Sequence, residues 1–553
     1  MAGLTFIDEL LQDQRELTAV DQFARWHESI SVPASPSRYE RLLPAAPPGQ
    51  GEQYAFEVDL DRCSGCKACV TACHALNGLE DDESWRSVGL LVSPGTDATQ
   101  MEFAPIQQHI TTACHHCVDP ACMHGCPVLA YDKDPMTGVV RHLDDQCMGC
   151  SYCVMKCPYE VPRFSKRLGI VRKCDMCSHR LAAGEAPACA QACPSEAIRI
   201  TVVRQRSIET QYRKPRPAPS EIESDEANLF LPDSPPPSLT LPATQFVSRR
   251  VLPEEVKSAD REALRLDSAH GSLVAMLILS QAAAGVFAAS AAAELTGLRI
   301  HFPWFNTFAA TLLFAGLIAS VTHLGRPGKA WRSFLGWRRS WLSREIIAFG
   351  AFALVGGIAS VAAFVPAGLP WRRSVTCAAA SFGMIAVFVS SMVYVDTGRR
   401  AWRFGRTLGN FFGTTLLLGS TLAAGIFAAA TGGENEAQAG IAQVAAAATA
   451  MVIRTLLFMW RRLELSRALS DPLNSFHWNA RVVAELLPGS LRWRNLLFVF
   501  STGAGLLAVV GLGGHMLVWA SLAAASTTAS ELIDRYVYFV AGGTKRMPGV
   551  WVS

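Results

Sequence analysis

Sixteen of the 17 cysteines in the chain fall between Cys63 and Cys193, in four groups. They read "CSGCKACVTAC" (63 to 73), "CHHCVDPACMHGC" (114 to 126), "CMGCSYCVMKC" (147 to 157), and "CDMC" (174 to 177) with "CAQAC" (189 to 193). The first and third groups have the spacing C-x2-C-x2-C-x3-C, in which a tight turn aims three thiolates at one cubane and a fourth comes from elsewhere. The second and fourth groups widen the second gap, to four and eleven residues, and all four groups keep the closing x3-C. In two-cluster ferredoxins the last cysteine of each run serves the other run's cluster. Four runs therefore supply ligands for four [4Fe-4S] clusters.

Zinc ribbons also use C-x2-C pairs, but they do not add a third cysteine shortly after and a fourth after x3. A disulfide framework belongs to small secreted domains, and this 553-residue chain carries acidic residues within its first turns, with neither an apolar h-region nor a twin arginine. The expectation is a thiol-rich domain that is not exported. A formal net charge of +3 excludes a nucleic-acid-binding character and leaves a membrane as the natural partner of the basic loops.

A second kind of chemistry is suggested by His323 and Glu345. A histidine near its ordinary pKa exchanges protons at neutral pH, and an ionisable group at a membrane span is costly unless it has a task or a partner. His323 closes one apolar run and Glu345 opens the next, so a hairpin puts both at one membrane face. Anchoring in the headgroups, with Arg326 or Arg344 neutralising the glutamate, is the structural alternative. Tyr394 is a weaker candidate for the same site. Arg454 is expected to snorkel or to pair with an acid, and Glu531 with Arg535, four apart, could pair with each other.

The elements that must carry these residues follow from hydropathy. Eight apolar spans of bilayer length read as about 271–294, 305–324, 346–368, 374–395, 411–431, 438–460, 495–512 and 516–540. The loops after spans two, four and six and the tail hold 18 lysines and arginines, against Arg299, Arg372 and Arg373 on the opposite side. The positive-inside rule then puts the cysteine-rich domain on the cytoplasmic face of the inner membrane. Residues 1–50 form an N-terminal segment whose residues 4–23 have helical apolar spacing, and 205–265 is a proline-rich linker laid over a surface.

Two stretches, "HLDDQCMGCSYCVMKCPYEVPRF" and "GIVRKCDMCSHRLAAGEAPACAQACPSEAI", resemble the four-cluster electron-transfer subunit of the dimethyl sulfoxide reductase family of molybdoenzymes. Two others, "THLGRPGKAWRSF" with "SWLSREI" and "YVDTGRRAWRFGRTLGNFFGTTLLLG", resemble that family's eight-helix anchor subunit. The resemblance implies a natural fusion: an α+β ferredoxin-like tandem cluster domain over 51–204, followed by an all-α membrane bundle over 266–553. It also implies the pairing of the cysteine groups, first with fourth and second with third. Cys63, Cys66 and Cys69 would join Cys193, and Cys174, Cys177 and Cys189 would join Cys73. Cys114, Cys117 and Cys122 would join Cys157, and Cys147, Cys150 and Cys153 would join Cys126.

In the anchor family the residues matching His323 and Glu345 are implicated in menaquinol binding, with Arg326 and Arg344 as further candidates here. The resulting expectation is a subunit that takes electrons from quinol and passes them to a separate molybdopterin-containing catalytic chain, docked against the second and third cysteine groups or the linker. The reverse flow, reducing quinone as in cytoplasm-facing sulfite dehydrogenases, is one alternative. A redox-sensing or tethering iron-sulfur protein is the other.

Overall fold

The computed structural model describes residues 41–93, 107–213, 230–250, 252, 256–296, 304–364, 370–429, 436–472, 474–510, 515–544 and 547–548. The helix expected over 4–23 lies outside them. The N-terminal half is built from short elements around the cysteines. Its order is β1 (Glu52–Asp59), α1 (Ala68–Asn77), β2 (Ser87–Val92), β3 (Gln107–Thr112), α2 (Ala121–Gly125), β4 (Tyr131–Lys133), β5 (Val140–His142), α3 (Tyr152–Lys156), β6 (Arg163–Ser165), β7 (Ile170–Arg172), α4 (Ser178–Ala182), α5 (Ala188–Gln191), β8 (Ile198–Arg204) and α6 (Gln205–Tyr212).

Strand β1 pairs antiparallel with β8, from Glu52 opposite Arg204 to Val58 opposite Ile198, and this closes the domain on itself. The alternation in β1 buries Gln53, Ala55, Phe56 and Val58, as a half-buried strand requires. The β4–β5 and β6–β7 hairpins present the second and third cysteine groups.

The proline-rich stretch is more than a connector. Its β9 (Gln245–Val247) adds to β1 in parallel, and β10 (Lys257–Ser258) adds to β2. Phe230, Leu231, Leu241, Ala243 and Val256 are buried in a core shared with Ala55, Val58 and Ile110. Proline forbids a long helix but not an edge strand, so scattered apolar residues become a cover without a periodic signature.

The C-terminal half is a bundle of α7 (Gly271–Leu295), α8 (Trp304–Thr322), α9 (Trp341–Ala362), α10 (Pro370–Val395), α11 (Phe404–Ala429), α12 (Glu436–Ser470), the short α13 (His477–Arg481), α14 (Pro488–Val510) and α15 (Met516–Val540). Eight of these helices are long and apolar enough to cross a membrane. Helices α7 and α11 are the most enclosed of the spans, and small residues let them approach: the backbones of Gly285 and Gly419 touch where they cross.

Several span boundaries differ from the hydropathy reading: α10, α11 and α14 start at Pro370, Phe404 and Pro488, ahead of the expected 374, 411 and 495, and two further differences have a visible cause. Helix α12 runs on to Ser470 because Arg461 and Glu464, which end an apolar run in sequence, find partners inside the bundle: Arg461 with Glu531 and Asp534, and Glu464 with Arg406. Helix α9 starts at Trp341, which puts Glu345 one turn inside the span.

Candidate functional site

Each cysteine loop wraps through left-handed backbone positions, among them Gly65, Lys67, Gly149, Ser151, Met176 and Cys177. This curls the chain so that amides as well as sulfurs point inward. The amides of Gly149, Met176, Ala130 and Ala197 donate to the sulfurs of Cys147, Cys174, Cys126 and Cys193 at 3.2 to 3.4 Å.

The β1–β8 pairing brings the first and fourth groups together: Cys63, Cys66, Cys69 and Cys193 line one cavity. Cys114, Cys117, Cys122 and Cys157 line another, with Pro120, Pro158, Tyr159 and Lys173. Cys73, Cys174, Cys177 and Cys189 lie within one another's electrostatic field, as do Cys126, Cys147, Cys150 and Cys153.

These sets suit a polynuclear cluster. Each set offers four sulfurs, the number of thiolates that a cubane takes. Burial and the neighbouring Cys189 push the Cys73 thiol up to about 12, so ionising it needs a strong local positive charge, which iron supplies. Two buried cations sit among the sets. Lys173 Nζ lies 3.7 Å from Cys114 Sγ and donates to the carbonyls of Val140 and Cys174. Arg86, 2% exposed, faces Cys69, Cys73, Cys174 and Cys189 and stacks on Phe56 at 4.6 Å.

The Cys126, Cys147, Cys150 and Cys153 set sits on the membrane half. Leu324 packs against it, and Cys150 packs against the bundle core. Arg326 N donates to Met148 O at 3.0 Å, and Gly325 meets the backbones of Gly149 and Gly169 so closely that no Cβ fits between them. Ser340 Oγ and Gly336 N bond the carbonyls of Gly125 and Pro127 at 2.7 and 2.9 Å. Tyr152, between Cys150 and Cys153, donates its hydroxyl to Val393 O at 2.9 Å, and Lys156 Nζ pairs with Asp396 at 2.8 Å. Parts of the second and third cysteine groups are therefore covered by the membrane half. At the other end Cys66 is exposed.

Beneath this seat the four quinol-site candidates separate. Glu345 is buried, accepts from Ser390 Oγ at 2.5 Å, and has no ion pair among the described residues. Tyr152 and Tyr394 lie within its field. His323 sits just beyond α8, half-buried, with its Nδ1 enclosed and its ring against the Ser320 backbone. Arg326 is committed to docking, with Nε on Leu168 O and an Nη on Asp144 O. Arg344 turns outward over the Trp341 ring at 4.6 Å and donates to the carbonyls of Trp337 and Arg338. Neither arginine neutralises Glu345.

The deeper ionisable residues form a separate network. Glu531 pairs with Arg461 at 3.1 Å rather than with Arg535, which reaches Gln281 Oε1 at 2.9 Å, and Arg454 bonds Thr527 at 2.5 Å. Sequence reasoning did not single out His270, Asp267, Asp396 or Tyr152. His270 stands immediately before an apolar run as His323 stands immediately after one, and that was the available signal.

The profile described as "DMSO reductase anchor subunit (DmsC)" matches residues 269–540, and that of a "4Fe-4S dicluster domain" matches residues 106–203. The B subunit of the anaerobic dimethyl sulfoxide reductase of Haemophilus influenzae is 34% identical over 166 residues, covering 29% of this chain and 78% of that protein. The iron-sulfur subunit of the nitrate-inducible formate dehydrogenase of Escherichia coli is 35% identical over 167 residues, 28% of this chain and 56% of its own. Hydrogenase-2 operon protein HybA of Escherichia coli O157:H7 is 36% identical over 161 residues, with 25% and 49% covered. The chain thus spans about half the length of the formate dehydrogenase and hydrogenase relatives. Taken with the fold, these matches show that the chain belongs to the dimethyl sulfoxide reductase family, as an iron-sulfur subunit and a DmsC-type membrane anchor joined in one polypeptide.

Proposed function

We propose that this multi-pass membrane protein oxidises quinol beneath its iron-sulfur domain and passes the electrons through four [4Fe-4S] clusters to a separate molybdopterin-containing catalytic chain. The observation that carries this reading is the seat of the third cysteine group directly on the membrane helices, above Glu345 and His323. Each cluster, when bound, accepts and releases one electron at a time. The sixteen cysteines hold them in the four sets described, and the inward amides, Lys173 and Arg86 offset their negative charge.

Quinol oxidation needs two proton acceptors as well as an electron acceptor. His323 and Glu345 supply them: one is an enclosed imidazole, the other a buried carboxyl that no cation among the described residues holds. Cys126, Cys147, Cys150 and Cys153 would hold the cluster nearest the membrane half, which would supply the electron acceptor there. The exposed end at Cys66 is the exit, where the catalytic partner docks. The charge asymmetry of the loops supports a cytoplasmic position for this domain. A mere tether or redox sensor would gain nothing from an unpaired buried carboxyl.

A second reading reverses the flow, and it is favoured by the similarity to a dehydrogenase iron-sulfur subunit. A redox titration of the clusters separates the two, since uniformly low potentials disfavour quinone reduction. The site itself is tested with His323→Ala. Quinol-dependent turnover falls while turnover with a dye that donates directly to the clusters persists, and an unchanged quinol rate removes the site.

A further inference from the structure

His323 and His270 lie at the same end of neighbouring helices, within each other's electrostatic field. His270 immediately precedes α7 and His323 immediately follows α8. The two helices are antiparallel neighbours that touch at Gly316, where an added Cβ would meet Met276 O and Leu279 Cβ at 3.2 Å and Ser280 N at 3.3 Å. From that crossing α8 runs about 10 Å to His323 and α7 about 9 to 15 Å to His270, at 1.5 Å per residue.

His323 is half-buried, and the residues that follow it, Leu324 to Arg326, are pressed against Met148, Gly149, Leu168 and Gly169. The side toward His270 is polar. His270 packs edge-on to Phe539 at 5.9 Å and faces Asp267. Asp267 is held by Arg399 at 2.7 Å and has a side chain 26% exposed. Arg399 is itself fixed by Gly542 O at 3.1 Å, Met155 O at 3.2 Å and the Trp402 ring at 4.9 Å.

We propose that His270, backed by Asp267 and Arg399, is a second proton station that takes from His323 the proton released by quinol and delivers it to the aqueous face beneath the iron-sulfur domain. The inference rests on the quinol reading above. Each quinol breaks two O–H bonds and becomes quinone. One proton goes to Glu345 and one to the His323 imidazole, and the two electrons leave singly for the oxidised cluster held by Cys126, Cys147, Cys150 and Cys153. His323 then loses its proton to the His270 ring, and His270 loses it to Asp267 or water.

Burial pulls both histidines below the ordinary imidazole value, so both rest neutral and ready to accept. The charged or titratable groups facing His270 are Asp267, Arg399 and His323. Asp267 favours the transient imidazolium, while Arg399 keeps it from becoming permanent.

The test uses the full chain with its copurified partner in lipid nanodiscs. The rate at which 2,3-dimethylnaphthoquinol reduces the oxidised clusters is followed by stopped-flow absorbance in H2O and D2O. His270 has φ 44°, a backbone that glycine adopts freely, so His270→Gly preserves the turn. It should lower the limiting rate roughly tenfold, with the half-saturating quinol concentration changing by less than about twofold. The solvent isotope effect should grow, and added imidazole should restore the rate, which a structural defect would not allow. Asp267→Asn should slow the same step without imidazole rescue.

A wild-type rate and isotope effect in His270→Gly overturn the relay, as does a slow rate that imidazole does not restore while Asp267→Asn is unaffected. His323→Ala run in parallel separates the layers. If it is slow while His270→Gly is normal, only the relay fails; if His323→Ala is itself normal, the quinol reading fails and the relay with it.

Discussion

At the scale of residues, the chemistry depends on charges the fold isolates. Glu345 is buried with one hydroxyl donor and no cation, an arrangement that costs free energy unless the carboxyl is used. Glu345→Gln keeps the shape and the Ser390 contact but removes the proton acceptor, and a loss of quinol oxidation of roughly 100-fold in steady-state assays is expected. Lys173 places a positive charge among the sulfurs of two sets. Replacing it with methionine should lower the potential of the adjacent clusters, since a cation favours the more negative reduced state. Redox titration followed by electron paramagnetic resonance reads the direction. His323 and Glu345 were legible in sequence because each interrupts an apolar run. Lys173, Tyr152 and Asp396 were not, because their meaning comes from the tertiary contact between the halves.

At the scale of elements, the loop between α8 and α9 is the joint. Gly325 lies against Gly149 and Gly169 with no room for a Cβ, so Gly325→Val should push the third cysteine group off the membrane. A loss of about 1 to 3 kcal/mol is expected for such overpacking, visible as a lower melting temperature in detergent and as slower quinol-driven cluster reduction.

The Arg461, Glu531, Asp534 and Arg494 network ties α12, α14 and α15 together. Removing one partner with Glu531→Leu should destabilise by about 3 kcal/mol, because Arg461 keeps its buried charge. A thermal denaturation series including Arg461→Met with Glu531→Leu checks this, the double variant being the less damaged. Hydropathy located all eight spans because a bilayer demands length and apolarity. It missed the last turns of α12 because internal ion pairing is invisible to a residue-by-residue count. It also missed β9 and β10, whose burial depends on strands far away in sequence.

At the scale of the whole molecule, the cysteine-rich and apolar halves were separable from composition alone, and the spacing of the cysteine groups identified the iron-sulfur chemistry. Their seating on one another was not legible, because it rests on glycine contacts and carbonyl bonds that leave no pattern in the sequence. On the proposed reading, that seating gives the molecule a direction, from Glu345 and His323 beneath the third cysteine group to the exposed Cys66.

The most direct test is the electron paramagnetic resonance spectrum of the clusters after anaerobic addition of 2,3-dimethylnaphthoquinol or dithionite, in the wild type and in His323→Ala with Glu345→Gln. Dithionite is expected to reduce the clusters in both proteins and quinol only those of the wild type. Equal reduction by quinol in the double variant would contradict the account.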